Sequence, residues 1–309
     1  MSLPLSLYVH FPWCVRKCPY CDFNSHPVRG NLDQTGYLKA LVIDASTALQ
    51  AVPPTGISSV FLGGGTPSLF DPDTFETLLA HLQPLLKPEA EITLEANPGT
   101  VEYQDFSDYR EAGINRISLG AQSFDAAQLK QLGRVHGPDE ICTAFERVRA
   151  GGFENVNLDL MYGLPKQTTA EAMDDLDRAL ALGPEHISWY QLTIEPKTEF
   201  ARRRPPLPAE GEVEVMEASG RERLTAAGFL RYEVSAWSKP GRRCEHNLNY
   251  WRFGDYVGIG AGAHGKLTRG GSPGREIVRT SKPAQPRVYL AEPLETMHGH
   301  GSLAHLGLA

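Results

Sequence analysis

The chain has 309 residues, of which 41% are hydrophobic and 22% charged, so it can bury a large core without support from disulfides or metal. Its formal net charge of −7 and the lack of a long Lys/Arg block exclude strong attraction to nucleic acid. No run of about 18 apolar residues predicts a transmembrane segment, and no secretory leader is recognised. We expect a cytoplasmic protein, because five cysteines, an odd number, fit a reducing compartment.

Short apolar runs alternate with longer segments of helical spacing over the first two thirds of the chain. The predicted strands are LSLYVHFP, ISSVFLGGG, EITLEANPG, NRISLGAQSF, NVNLDLMYGLP and HISWYQLTIEP. The predicted helices between them are QTGYLKALVIDASTALQ, PDTFETLLAHLQPLL, QDFSDYREAG, PDEICTAFERVRAGG and TAEAMDDLDRALALG. Such alternation is typical of parallel α/β folds. Because six units are too few for an eight-fold barrel, we predict a partial (β/α)6 TIM-type barrel, with a doubly wound open sheet as the alternative.

The pattern changes after Glu195. A connection rich in proline and charge precedes a helix predicted from about Val213 to Ala227 and a strand predicted at LRYEVSAW. We therefore expect a core over residues 1–200, a small α+β C-terminal extension over 201–268 and an irregular tail over 269–309, where no sustained periodicity is present.

Ligands of parallel α/β folds bind at the carboxyl ends of the strands, where the connecting loops meet. Three cysteines follow the first predicted strand, and the segment GGGTPS follows the second. The later strands carry Glu95, Gln122 and Asp159. These residues are the first candidates for a functional site.

Cys14, Cys18 and Cys21 lie in the eight-residue segment CVRKCPYC. Three thiolates on one loop can bind one metal centre. A closed zinc site needs four ligands, and His10 or His26 could supply the fourth, but a second pair of close cysteines is lacking. A four-iron cluster held by three thiolates keeps one iron open for a substrate or cofactor. We favour the cluster over zinc and over three merely packed thiols.

The CVRKCPYC triad, with Tyr20 before its last cysteine, resembles the signature of the radical S-adenosylmethionine enzymes. The wider set of motifs resembles the branch of that superfamily that contains oxygen-independent coproporphyrinogen III oxidase and the heme chaperones. These motifs are YVHFPWCVRKCPYCDFNSH, FLGGGTPSLF, EANPGT, RISLGAQSF, LGRVHG, NLDLMYGLP, HISWYQLTIEP and HNLNYWRFGDYVGIGAGAHG. The resemblance implies a [4Fe-4S] cluster on the three cysteines, with S-adenosylmethionine bound to the open iron.

The same resemblance assigns further residues to the cofactor. Residues that match contacts of the cluster-bound S-adenosylmethionine are Tyr8, Gly64 and Glu95. Residues that match positions binding a second S-adenosylmethionine in the oxidase are Gly65, Thr66, Gln122, Arg134 and Asp159. Because glycine lacks a β-carbon, we also expect the backbone of GGGTPS to approach the cofactor and donate N–H groups to its carboxylate.

Purely structural roles are open for these residues as well. Glu95 and Asp159 could each pair with a buried arginine, Arg116 or Arg134. Gln122 could bind a strand-end amide, and Tyr8 could be a simple core residue.

The string GIGAGAHG contains the spacing GxGxxG at Gly260, Gly262 and Gly265. A dinucleotide site would need a following helix and a later acidic residue, and neither is predicted here. We therefore reject a nicotinamide or flavin site and expect a close approach of two backbones instead.

Three features separate the two members of the branch. The oxidase carries a further cysteine two residues after the triad, where this chain has Phe23, and an extension before its first strand, which this chain lacks. HNLNYW matches the HNxxYW motif implicated in heme binding by the chaperones. The resemblance thus implies that His246 binds heme iron while Tyr250 and Trp251 cover the macrocycle. No CxxCH attachment motif is present, although Cys244 lies two residues before His246.

We predict a heme chaperone that passes heme to an unidentified acceptor protein, with an electron donor protein as a further partner. The alternative is an oxidoreductase that decarboxylates coproporphyrinogen III to protoporphyrinogen IX, and a radical enzyme with an unrelated substrate is a third hypothesis. Members of the branch continue into a further C-terminal domain, whereas the likeness here ends near Thr268. We therefore expect a truncated chain and heme transfer that is impaired wherever it depends on that domain.

Overall fold

The computed structural model describes residues 3–50, 56–100, 105–270 and 276–302. The strands are β1 (Leu5–Phe11), β2 (Trp13–Cys14), β3 (His26–Pro27), β4 (Ile57–Gly64), β5 (Leu86–Ala96), β6 (Arg116–Gln122), β7 (Val156–Tyr162), β8 (His186–Gln191), β9 (Leu230–Arg231), β10 (Ala236–Ser238), β11 (Asp255–Ile259), β12 (His264–Arg269), β13 (Glu276–Ser281) and β14 (Met297–Ser302). The α-helices are α1 (Gln34–Ala48), α2 (Pro72–Leu82), α3 (Phe106–Glu111), α4 (Ala126–Gln131), α5 (Pro138–Ala150), α6 (Thr169–Leu182), α7 (Glu199–Arg202), α8 (Glu210–Ala226), α9 (Glu245–Trp251) and α10 (Pro286–Ala291). Short 3-10 helices lie at Pro67–Leu69, Gln83–Leu85 and Pro98–Thr100. Within these ranges, no helix combines the length and apolar character needed to span a membrane.

The predicted succession of strands and helices is confirmed. The six predicted strands correspond to β1, β4, β5, β6, β7 and β8, and the five predicted helices to α1, α2, α3, α5 and α6. Burial explains why these strands are apolar along their whole length, since every residue of β6 and all but one of β1 are buried. The ends of α6 carry clear local signals: Thr168 and Glu171 form a capping box, and Gly183 ends the helix in the left-handed conformation.

Packing groups the chain into two discontinuous units. Unit 1 comprises residues 1–13, 28–94 and 244–309, and unit 2 comprises residues 14–27 and 95–243. The boundaries predicted at residues 200 and 268 therefore fall inside the units rather than between them.

The strands of unit 1 follow the order β14-β13-β12-β11-β1-β4-β5. β11, β1, β4 and β5 run parallel, and β12, β13 and β14 extend the sheet in antiparallel fashion. In this register Tyr8 lies between Phe61 of β4 and Gly258 of β11. The apolar core of the unit includes Leu7, Val9 and Leu62, which are fully buried.

The strands of unit 2 follow the order β6-β7-β8-β10-β9, with β6, β7 and β8 parallel. β10 pairs with β8 and with β9 in antiparallel fashion, so the predicted strand LRYEVSAW is in fact a short hairpin of two strands. One core cluster of this unit contains Leu132, Met161, Leu164, Leu192 and Phe200.

The expectation of an irregular tail after residue 268 is wrong for the described part of that segment. β13 continues the sheet beside β12, α10 follows, and β14 pairs with β13. Burial of Ile277 and Val278 stabilises β13, whereas β14, with the sequence MHGHGS, carries no apolar run. Residues 271–275 and 303–309 of the predicted tail lie outside the described residues.

A buried ion pair fastens this segment to α1. The Lys282 ammonium lies 2.6 Å from Oδ1 of Asp44, and Tyr289 of α10 donates to Oδ2 of the same carboxylate at 2.8 Å. Lys282 also donates to the carbonyl of Pro293 and to the hydroxyl of Thr296. Because Asp44, Lys282 and Tyr289 are all buried, this part of the tail contributes to the core of unit 1.

The close backbone approach expected at GIGAGAHG is confirmed. A β-carbon on Gly260, whose φ is +95°, would lie 2.4 Å from the carbonyl oxygen of His10. The next amide, that of Ala261, donates to the hydroxyl of Tyr37, which itself donates to the His10 carbonyl. The segment GIGAGAHG thus packs against the end of β1. Strand β12 begins within its last residues, at His264.

Candidate functional site

The cysteine loop lies in unit 2, and its three cysteines are partly exposed and form no disulfide. Tyr20 packs against the core cluster of this unit and against the ring of Phe200 at 6.5 Å, and the Phe200 amide donates to the Pro19 carbonyl at 3.0 Å. Burial raises the pKa of Tyr20 above its usual range, so its hydroxyl stays protonated. Tyr20 therefore anchors the loop rather than binding a metal.

Burial also raises the pKa of the Cys21 thiol, although hydrogen bonds from Phe23 and Ser25 oppose that rise. Among the residues that the structure describes, no three His, Cys, Asp or Glu side chains converge on one metal ion. A four-iron cluster makes a different demand, because each thiolate binds its own iron.

Arg134 joins the cysteine loop to the end of β6. Its Nη1 donates to Sγ of Cys18 at 3.7 Å and its Nη2 donates to the Gly120 carbonyl at 2.9 Å. Gly120 makes room for this arrangement, since a β-carbon there would lie 3.1 Å from the amide nitrogen of Gln122 and 3.3 Å from the Arg134 guanidinium. Nε of Arg134 is buried and has no hydrogen-bond partner within the described part of the chain.

Gln122 adopts the left-handed conformation, with φ +71°, at a register shift between β6 and β7. Such a bulge re-aims the side chain, and the Tyr190 hydroxyl of β8 donates to Oε1 of Gln122 at 2.7 Å. The partner of the Gln122 side-chain oxygen is therefore the Tyr190 hydroxyl and not, as in the structural alternative, a strand-end amide.

Asp159 lies in the middle of β7. Its carboxylate accepts hydrogen bonds from the Ser118 hydroxyl at 3.1 Å and the Asn157 amide at 2.8 Å. Burial raises the pKa of Asp159, and these hydrogen bonds oppose the rise. Burial also raises the pKa of Tyr190 well above its usual range, and the charges of Asp159 and Glu95 act in the same direction. Tyr190 thus lies close to the charged groups of Glu95, Arg134 and Asp159 and donates to Gln122, and all five residues belong to unit 2.

The glycine segment at the end of β4 belongs to unit 1. The amides of Gly65 and Thr66 donate to the carbonyls of Phe11 and Trp13, each at 2.7 Å. A β-carbon on Gly65 would lie 2.5 Å from the Trp13 oxygen. The expectation that this segment offers N–H groups to a cofactor carboxylate is therefore wrong for Gly65 and Thr66, because both amides bind the chain itself.

Tyr8 and His10 form a second group in unit 1. The Tyr8 hydroxyl and Nδ1 of His10 are 2.9 Å apart. The His10 ring lies against Gly64, where φ is +117° and a β-carbon would meet the imidazole at 2.5 Å. Gly64 therefore makes space for His10, which in turn fixes the Tyr8 hydroxyl.

His246 is 3% exposed, and its ring lies among aromatic side chains of unit 1. It stacks on Phe61 at 4.8 Å, approaches Tyr8 at 6.2 Å and meets the edge of Tyr250 at 5.2 Å. Its Nδ1 lies 3.4 Å from the Ser59 hydroxyl. The structure thus places the motif histidine inside the core.

The remainder of the HNLNYW motif divides between the two faces of α9. Asn249 points inward, and its amide donates to the Asp255 carbonyl at 2.9 Å. Tyr250 and Trp251 are exposed, at 43% and 57%. Trp251 therefore presents a large, mostly exposed indole ring at the end of α9.

The residues present fit the cofactors that the sequence suggested. Three thiols that form no disulfide lie on one short loop, and they are a soft donor set suited to iron–sulfur ligation. The partnerless Nε of buried Arg134 is a donor that a carboxylate ligand could satisfy.

Sequence reasoning missed Tyr190 and Gly120. Tyr190 shares a strand face with Ser188 in HISWYQ, and this alternation was a usable signal. Gly120 lies inside an otherwise apolar strand, where glycine marks the close approach of another group.

Comparisons with known proteins agree on one family. The model of the radical SAM superfamily matches residues 8–179. The heme chaperone HemW of Escherichia coli is 50% identical to this chain over 289 residues, which cover 93% of the chain and 76% of the relative. HemW of Haemophilus influenzae is also 50% identical, over 293 residues with the same coverage.

Among solved structures, coproporphyrinogen III oxidase (HemN) from Escherichia coli superposes with a TM-score of 0.80 at 24% identity, covering 94% of this chain and 69% of that one. This likeness confirms the predicted radical SAM α/β fold. Membership of the superfamily implies a [4Fe-4S] cluster and S-adenosylmethionine. The chain belongs to the radical SAM superfamily and, within it, to the family of the heme chaperone HemW.

Proposed function

We propose that this protein binds heme and passes it to an acceptor protein, as the name of its relatives states for them. The observation that carries the proposal is the 50% identity to the HemW proteins over 93% of the chain. The HNLNYW helix, with its exposed Tyr250 and Trp251, is the second support. An acceptor of this kind is a protein whose own site binds heme more tightly than the donor does.

His246 is the proposed axial ligand. Imidazole binds heme iron well, and the flat rings of Tyr250 and Trp251 suit the apolar macrocycle. Because His246 is 3% exposed, its ring must leave the stack with Phe61 before it can reach a bound iron. Heme binding at this motif therefore includes a movement of α9.

Cys14, Cys18 and Cys21 are the proposed ligands of a [4Fe-4S] cluster, and an electron donor protein is a proposed partner. When bound, the cluster supplies electrons and an open iron for S-adenosylmethionine. In unit 2, Arg134 holds Cys18 through its Nη1 hydrogen bond. Its free Nε is our proposed contact to a cofactor carboxylate. In unit 1, His10 orients the Tyr8 hydroxyl.

The remaining assignments stay predictions. They place Tyr8, Gly64 and Glu95 at the first S-adenosylmethionine and Gly65, Thr66, Gln122, Arg134 and Asp159 at a second. The backbone amides of Gly65 and Thr66 already bind carbonyls of the chain itself, so the proposed role of Thr66 falls to its side chain.

Heme titration of anaerobically reconstituted protein tests the proposal. Wild type should give a Soret band that saturates with heme, and His246→Ala should shift or lose it. His81→Ala is the matched control, because His81 is an exposed histidine on α2 and should leave the band unchanged. Saturated wild type should then transfer heme to an apo heme protein. A wild type that binds no heme would refute the proposal.

The same sample distinguishes the oxidase alternative. With a reductant and S-adenosylmethionine, the chaperone hypothesis predicts no conversion of coproporphyrinogen III. Formation of protoporphyrinogen IX would favour the oxidase instead. Formation of 5′-deoxyadenosine without porphyrin conversion would favour a radical enzyme with another substrate. Cys14→Ser should abolish the broad visible absorption of the cluster.

A further inference from the structure

Glu91 makes an unusual set of contacts with the first turn of α9. It is 8% exposed on β5. Its Oε1 accepts hydrogen bonds from the Glu245 amide at 3.0 Å, the His246 amide at 3.4 Å and the Cys244 thiol at 3.3 Å. One carboxylate oxygen therefore holds the residue before α9 and the first two residues of α9.

Such contacts stabilise the first turn of a helix strongly. The leading amides of a helix have no partner within the helix, and a carboxylate satisfies them while also meeting the positive end of the helix dipole. Cys244 itself offers no side-chain cap. Glu91, which is distant in sequence, therefore accepts the hydrogen bonds of the leading amides that an N-cap side chain accepts in other helices.

These contacts also decide where His246 lies. Its backbone amide is bound to Glu91 and its ring stacks on Phe61, so neither can move independently of the first turn. The side chain of Asn249 fixes the next turn by donating to the Asp255 carbonyl. Release of Glu91 frees the end of the helix that carries the imidazole.

We propose that Glu91 is a positioning residue for the heme motif. It holds His246 inside the aromatic stack, and release of its hydrogen bonds to Cys244, Glu245 and His246 is the step that makes the imidazole available. This inference rests on the proposed function for the identity of the ligand. The fastening of α9 by Glu91, meaning the hydrogen bonds from Cys244, Glu245 and His246, can be measured without heme. Cys244 is 1% exposed and is released by the same movement, so it reports the opening.

Alkylation of Cys244 measures the fastening. Trypsin cleavage after Arg243 and Arg252 isolates the peptide CEHNLNYWR, in which Cys244 is the single cysteine. Glu91→Ala should raise the rate of Cys244 alkylation in the reconstituted protein by about tenfold or more, because bonds to a charged acceptor are lost. Glu91→Gln keeps an acceptor oxygen and should give a smaller increase. Glu89→Ala is the matched control, an exposed glutamate on the same strand, and should change nothing.

Heme titration of the same variants tests the link to His246. When the competent state is a small fraction of the molecules, the apparent Kd varies inversely with that fraction. The apparent Kd for heme should therefore be lower in E91Q than in wild type and lowest in E91A. In each variant, the fold decrease in Kd should match the fold increase in the rate of Cys244 alkylation. Adding His246→Ala to E91A should remove the gain in affinity and keep the fast alkylation.

The outcomes separate the two proposals. Unchanged alkylation in E91A and E91Q would overturn the fastening. Faster alkylation with unchanged or weaker heme binding would overturn the role of Glu91 in presenting His246. Faster alkylation in variants that, like wild type, bind no heme would refute the heme function and the presentation step and leave only the fastening of α9.

Discussion

Lys282→Met should destabilise unit 1 strongly. The Lys282 ammonium lies 2.6 Å from the Asp44 carboxylate, and the two side chains are 6% and 0% exposed. Methionine matches lysine in length and shape, so the substitution removes the charge while filling most of the same volume. What remains is a buried carboxylate that keeps its hydrogen bonds from Tyr289 and Gly260 but loses its counter-ion.

The expected cost follows from the geometry. At an effective dielectric of about 20, two unit charges 2.6 Å apart attract by about 6 kcal/mol. Removing the ammonium also removes its own cost of burial, so we expect a net loss of about 3–5 kcal/mol in the free energy of unfolding. Asp44→Asn should also destabilise, and the double variant should recover about 2–3 kcal/mol relative to the sum of the two.

Urea unfolding at two pH values supplies the measurement. Burial raises the pKa of Asp44, and Lys282 opposes the rise, so the variant should have a still higher pKa. A carboxyl with a raised folded-state pKa is protonated more readily in the folded state, so stability rises as pH falls. The loss in Lys282→Met should therefore be smaller at pH 5 than at pH 8. A loss below about 1 kcal/mol at pH 8 would refute the reasoning.

Three further predictions concern unit 2 and the end of β4. Gly64→Ala should lower the free energy of unfolding by about 1–3 kcal/mol, because alanine is strained at φ +117°. The new β-carbon should also displace His10 and so weaken S-adenosylmethionine binding, measured by equilibrium dialysis. Gly211→Ala in α8 is the control: a β-carbon there has no neighbour within 4 Å, so this variant should be neutral or stabilising. Arg134→Met removes a cation and a hydrogen bond from Cys18, so redox titration of the reconstituted cluster should give a more negative midpoint potential; an unchanged potential would contradict the contact. Burial raises the pKa of Asp175 to about 6, so the contribution of this group to stability should rise by about 2 kcal/mol as pH falls from 7 to 4. Asp175→Asn should lack this contribution in urea unfolding, and equal pH slopes of the variant and wild type would contradict the shift.

The sequence predicted the parallel strands well because each is buried on both faces. Such a strand must be apolar along its length, and β1 and β6 are. The prediction of an irregular tail after residue 268 failed for the opposite reason. β14 carries histidine and glycine in alternation, and its strand conformation follows from pairing with β13 rather than from its own residues. No local pattern records a partner that lies elsewhere in the chain.

The candidate site was predictable in its residue types and not in its contacts. The cysteine triad and HNLNYW were found by their motifs. The burial of His246 depends on Phe61 and on Glu91, which lie more than 150 residues earlier in the chain. Likewise, the Gly65 amide was expected to bind a ligand, and it binds the carbonyl of Phe11, the last residue of the neighbouring strand β1.

The pairing of β1 with β11 has a consequence for synthesis on the ribosome. β1 is synthesised long before β11, the strand that covers its second edge and begins at Asp255. At roughly 5–20 residues per second, that edge waits about 10–50 s for its partner. Throughout that time a strand buried at all but one position in the finished protein presents open hydrogen-bonding groups to other nascent chains. Chaperones that bind β1 during synthesis should therefore raise the yield of folded protein more than those that act after release.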